Sequence, residues 1–70
     1  MSFSIKRLRE SRIKAGYETY ESFADALKKH EPKCTRQTVY SWESGKSMPG
    51  SNYVAAIAKV LNKKIDYFYE

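Results

Sequence analysis

With one cysteine, Cys34, and one histidine, His30, the 70-residue chain has no disulfide framework and too few soft ligands for a zinc site. These two residues lie four positions apart, yet nothing near them in sequence supplies the orienting third group or oxyanion site that a Cys/His catalytic pair needs. They read as a small buried thiol and a surface imidazole, with no metal, no cofactor and no catalytic residue expected. Long apolar runs are also missing. None approaches the roughly 18 residues of a membrane-crossing helix, and the charged opening "MSFSIKRLRE" lacks the apolar stretch of a signal peptide. The expectation is a cytoplasmic protein, associated with the nucleoid if its partner is DNA. Acidic residues are in deficit: eight Asp and Glu face thirteen Lys and Arg, a formal charge of +5 that favours a polyanionic partner. Charge alone does not separate nucleic acid from an anionic membrane surface.

No strand-like alternation persists, no repeat or low-complexity segment interrupts the chain, and Pro32 and Pro49 both fall between apolar segments. A chain this short buries only roughly 60% of its unfolded surface, enough for one domain over residues 1–70 with one modest core. Apolar residues recurring at three and four predict an all-α bundle of about five short helices. The first runs from about Ser4 to Ala15 and closes at Gly16, with Ile5, Leu8, Ile13 and Ala15 as its apolar side. Arg12 falls inside that arc, so it either snorkels outward or needs a buried acid. The second helix starts after a Thr19 cap and buries Phe23, Ala24 and Leu27 before "KKHEPK" interrupts it. In the third, over about residues 35–44, Thr35 is the cap, Val39 and Trp42 face inward, and Gly45 ends the helix. Ser51 is expected to cap a fourth helix with a broad face from Tyr53 to Leu61, and "IDYFYE" to add a last turn burying Ile65 and Phe68.

The side chains of the third helix left over from the core are Arg36, Gln37, Tyr40, Ser41 and Ser44, spread over an arc of roughly 140° opposite Val39 and Trp42. Gln pairs N6 and N7 of adenine, and Arg pairs O6 and N7 of guanine. Both sit in the first turn, where a helix entering the major groove reaches bases and its dipole attracts phosphate. Any surface helix shows polar residues outward, but here the preceding helices, the cap, the donor-rich face and Lys46 just beyond it stand together in a basic chain.

Four segments, "IKRLRESRIKAG", "SFADAL", "TRQTVYSWESGKSMP" and "AAIAKVLNKKIDYFYE", resemble the lambda-repressor-like helix-turn-helix domains of phage repressors, Cro proteins and their bacterial relatives. The resemblance covers nearly the whole chain and implies a helix-turn-helix formed by the second and third helices. It implies a structural ion pair between Arg12 and Glu43, which would set the angle of the third helix against the first. Arg36, Gln37 and Ser41 are implied to approach base edges, and Tyr40 a thymine methyl or the backbone. Thr35, Ser44, Lys46 and Tyr20 are implied to bind phosphate, although the family more often has Gln at the position of Tyr20. One departure stands out. Where the family has a single glycine or a similarly tight turn, this chain has the six residues "KKHEPK", which predicts a longer second helix and a looping connection before Thr35. Cys34 takes the place of the small apolar residue before the cap, and Lys28, Lys29 and Lys33 are either further phosphate contacts or a solvated loop.

These features imply a sequence-specific regulator of transcription, a repressor and not an enzyme. It would bind double-stranded DNA at a palindromic operator, as a homodimer with half-sites roughly 34 Å apart. Tyr67, Phe68 and Tyr69 are a candidate self-association surface, or else Phe68 and one tyrosine close the core. Two rival readings are an antitoxin or other protein-interaction module with the same fold and a protein partner, and the N-terminal DNA-binding domain of a longer regulator.

Overall fold

The computed structural model describes residues 2–70. Four α-helices follow in order: α1 (Ile5–Lys14), α2 (Tyr20–Leu27), α3 (Arg36–Glu43) and α4 (Ser51–Leu61), closed by a 3-10 turn at Ile65–Phe68. Local chemistry accounts for their limits. The hydroxyls of Ser4, Thr19 and Thr35 accept from the backbone N–H three residues on, each satisfying a donor that a helix start leaves open. At the other end α1 and α3 finish alike. The N–H of Tyr17 reaches the Arg12 carbonyl and that of Gly16 the Ile13 carbonyl; Lys46 and Gly45 do the same to Ser41 and Trp42. This closure needs a left-handed residue, supplied by Gly16 at φ 95° and Gly45 at φ 80°. Asn62 at φ 55° performs the same role after α4.

The start of α4 differs from expectation. Gly50 is the cap, without a side-chain hydrogen bond, and Ser51 is the first helical residue. The fifth element is a 3-10 turn and not a further α-helix. Among the described residues no strand forms, only an isolated antiparallel bridge between Phe3 and Tyr69.

α2 packs on α3, α1 crosses α3, α4 covers α2, and the 3-10 turn joins α1 to α4. One core fills the space between them, with Leu8, Phe23, Leu27, Cys34, Val39, Ile57 and Phe68 at 0% exposure. The inward face of α1 is Leu8, Ser11 and Arg12. Ile13 is 47% exposed and Ala15 is exposed, against the expected apolar side. At 100° per residue Ile13 stands about 140° from Leu8, beyond the stripe a neighbouring helix can cover. Ile65 is 46% exposed too, because a turn of four residues buries one side and Phe68 occupies it.

The two chain ends are clasped together. Ser2 and Glu70 exchange backbone hydrogen bonds at 3.1 and 3.0 Å, and Ser4 N–H donates to the Phe68 carbonyl at 2.6 Å. Phe3 stacks on Phe68 at 6.0 Å and meets Tyr69 edge-on at 5.8 Å. Glu70 accepts from the Ser4 hydroxyl and pairs with Arg7, whose Nη1 also reaches the Tyr67 carbonyl. The C-terminal aromatics are thus used inside the domain: Phe68 closes the core, and Tyr67 and Tyr69 are half-buried.

Urea denaturation separates the two apolar residues of the last turn. Phe68→Ala is expected to cost about 3–5 kcal/mol, as buried aromatic truncations do. Ile65→Ser should stay within about 0.5 kcal/mol, as an exposed change does. Equal losses would contradict this account of the closing turn.

Candidate nucleic-acid interface

α2, a connector and α3 form the unit that presents the exposed donors. The connector "KKHEPK" does not lengthen α2, which ends at Leu27. Instead the Leu27 carbonyl accepts from both His30 and Glu31, at 2.9 and 2.8 Å, and a second turn over Pro32 and Lys33 closes with Cys34 N–H on the Glu31 carbonyl at 3.0 Å. Proline suits the second position of such a turn because its φ is already set. Two anchors hold this path: Cys34 is fully buried, and Asn52 Nδ2 at the head of α4 donates to Glu31 Oε1 at 2.8 Å. Lys28, Lys29, His30 and Lys33 are exposed, with Lys28 3.4 Å from Asp25.

The orientation of α3 rests on a contact below its surface. Arg12 Nε donates to Glu43 Oε2 at 2.6 Å and Nη2 to Oε1 at 3.2 Å, while Nη1 donates to the Tyr17 carbonyl. The two side chains are only 4% and 2% exposed. Among the described residues no buried side-chain polar atom lacks a hydrogen-bond partner, so the desolvated charges are fully engaged. The expected pair is present in a two-pronged geometry.

Above that pair α3 divides by depth. Val39 is fully buried, and Trp42, 2% exposed, meets Tyr53 of α4 edge-on at 5.0 Å. Thr35, Arg36, Gln37, Tyr40 and Ser44 are exposed, Lys46 lies exposed just past Gly45, and Ser41 is half-buried. Arg36, Gln37, Tyr40, Ser41 and Ser44 thus fall within about 140° of arc on the side away from Val39 and Trp42, with Thr35 at the N-terminal end of the helix and Lys46 past its C-terminal end. Among the described residues no carboxylate pairs with Arg36 or Lys46, leaving both cations open to an external anion. Thr35 is already committed in part: its hydroxyl oxygen accepts from Thr38 N–H at 3.3 Å and lies 3.2 Å from the Thr38 hydroxyl. The Ser44 hydroxyl donates to the Ser41 carbonyl at 3.3 Å.

A family profile described as helix-turn-helix matches residues 5–68, from the first residue of α1 to the last of the 3-10 turn. The chain belongs to the lambda-repressor-like helix-turn-helix family. It is accordingly a DNA-binding regulator of transcription, of a family that is typically non-enzymatic, with double-stranded DNA as partner. No curated protein and no solved structure gave a match. Among the described residues no helix is long and apolar enough to cross a membrane.

Within this helix-turn-helix, Tyr20 is the expected site residue that comes from α2. It is the first residue of α2, half-buried, with its ring 5.1 Å from the Arg12 guanidinium and edge-on to Tyr40 at 5.9 Å. Lys46 Nζ lies 5.3 Å from the Tyr40 ring centroid. Sequence reasoning found each of these residues but not their contacts. The nineteen residues between Tyr20 and Tyr40 carry no periodicity that would pair them.

Two measurements test this arrangement. Arg12→Met or Glu43→Leu alone is expected to lower stability by about 3–5 kcal/mol by stranding a buried charge, and the double variant to regain much of it. Denaturation midpoints check this, and single variants within 1 kcal/mol of the parent would refute the role of the pair. The second concerns the connector. Burial pushes the Cys34 thiol above its ordinary value, with Lys28 lowering it in part. A folded state that favours the neutral thiol contributes stability below the ordinary thiol range and loses it as pH rises beyond. Labelling by a chromogenic disulfide reagent should therefore follow chain opening, and Cys34→Ala should flatten the alkaline decline in stability.

Proposed function

We propose that the protein is a sequence-specific repressor that docks α3 in the major groove of a two-fold operator. The observation that carries this reading is the exposure of Arg36 and Gln37 in the first turn of α3, without a carboxylate partner, on a helix whose angle the Arg12–Glu43 pair holds. Both side chains suit base edges, and the open N–H groups of that turn suit a phosphate. In this reading Arg36, Gln37, Tyr40 and Ser41 meet bases. Thr35, Ser44 and Lys46 hold the backbone, joined by the Tyr20 hydroxyl at the rim. Base contacts set sequence choice, and phosphate contacts set register and affinity.

Extents of 27 × 24 × 21 Å let two copies lie side by side on half-sites roughly 34 Å apart, one turn of duplex. A homodimer on DNA is therefore the proposed working form, and exclusion of other proteins from the covered duplex is the proposed route to repression. Such a protein acts in the cytoplasm, at the nucleoid.

Selection of bound sequences from random duplexes at two salt concentrations tests the proposal. The expected result is a palindrome in which Arg36→Ala and Gln37→Ala each erase preference at one position per half-site, at a cost of about 1–3 kcal/mol. Lys46→Ala should weaken every sequence alike and reduce the salt slope by about 1. Steep salt dependence with no enriched sequence would overturn base reading.

A further inference from the structure

An exposed tyrosine on a helix surface ordinarily moves between rotamers and pays for ordering when it binds. Tyr40 is 45% exposed, yet it has two partners: the Tyr20 ring at 5.9 Å with planes 63° apart, and Lys46 Nζ at 5.3 Å from its centroid. Tyr20 is itself seated, because its ring faces the Arg12 guanidinium at 5.1 Å and that guanidinium is gripped by Glu43. A continuous series of contacts thus runs from the buried ion pair, through Tyr20, to one side chain of the exposed face of α3. Cation–π and edge-to-face contacts are directional, so each member restricts the next.

We propose that Tyr20 is a positioning residue for Tyr40, and that through Tyr40 it sets the base preference at one position of the DNA site. The inference rests on α3 as the base-reading helix and adds a second helix to the control of specificity. A ring held in place presents a fixed apolar edge. That edge suits the C5-methyl group of thymine, which distinguishes T·A from the other pairs in the major groove. The ring of Tyr20, and not its hydroxyl, does this work, which separates positioning from a phosphate contact.

Competition binding with the selected duplex and its single-base-pair variants reads the difference. Tyr20→Phe keeps the ring and is expected to retain every base preference, with only a uniform loss of affinity where the hydroxyl contact to the backbone is removed. Tyr20→Leu keeps apolar bulk beside Arg12 but removes the aromatic edge. It should flatten the preference at the position that Tyr40→Ala also flattens, from about tenfold to near unity, while the positions read by Arg36 and Gln37 keep theirs. The Tyr20→Leu/Tyr40→Ala double variant should lose nothing further at that position. In the free protein the Tyr40 ring resonances should shift in Tyr20→Leu and not in Tyr20→Phe, a readout independent of DNA. Loss of the preference at the Tyr40 position in Tyr20→Phe would assign the effect to the hydroxyl and overturn the inference. Tyr20→Leu with full preference at the Tyr40 position would also overturn it, leaving base reading by α3 intact. A parent protein with no preferred sequence would overturn base reading itself and this inference with it.

Discussion

The orientation of α3 depends on one buried charge pair. Glu43 is the last residue of its helix, where the macrodipole presents its negative end and a carboxylate is least welcome. The Arg12 guanidinium answers that cost with two hydrogen bonds, and its third donor goes to the backbone of the turn that follows α1. Because Arg12 also gives its own carbonyl to Tyr17 N–H, the same residue closes α1 and anchors α3. Two apolar side chains of similar volume would pack as well but would accept several angles. A planar fork on a carboxylate accepts few, and specificity of register is the best-attested use of such pairs.

The connector shows how a longer link is absorbed without changing what it delivers. Six residues stand between Leu27 and Cys34, but two successive turns fold them back so that Cys34 enters the core directly before the Thr35 cap. The insertion therefore projects outward, and its lysines stay in solvent. Glu31 ties the crest of the loop to Asn52 at the head of α4, supporting the link from a helix that takes no part in the exposed face. What the family achieves with a tight turn is here divided between a buried thiol and one side-chain hydrogen bond.

Helix limits were legible in the sequence because they are local. A hydroxyl at each of three starts and a glycine at two ends act within four residues of themselves, and these signals alone position Arg36 and Gln37 in the first turn of α3. The Arg12–Glu43 pair was legible through the family resemblance, since a lone arginine in an apolar arc asks for an acid without saying which. What stayed hidden was set by depth and by distance along the chain. Ile13, about 140° from Leu8, stands at the margin of the apolar arc, and how far α3 and the closing turn reach around α1 leaves it outward. The Phe3–Tyr69 bridge and the Tyr20–Tyr40 contact join segments whose proximity only the assembled core determines. The cap of α4 falls one residue before the expected Ser51, at Gly50, because both residue types suit an N-cap and no side-chain hydrogen bond singles out the serine.

The separation of layers in α3 has a consequence for how such a domain changes its target. Val39, Trp42 and Glu43 carry the packing and the angle, and Thr35 and Gly45 carry the limits. Arg36 and Gln37 carry neither, so replacing them changes stability by no more than about 0.5 kcal/mol, and on the proposed docking it alters which base edge is met. Tyr40 is different, because its ring is coupled to Tyr20 and through it to the buried pair. A substitution at Tyr40 removes a partner of Tyr20 as well as a surface contact, and compensating for it requires a second change in α2. On the proposed docking, specificity at the first turn of α3 can drift one residue at a time, whereas a change at either Tyr40 or Tyr20 is enough to lose the preference at the Tyr40 position and a new one there needs both helices to change.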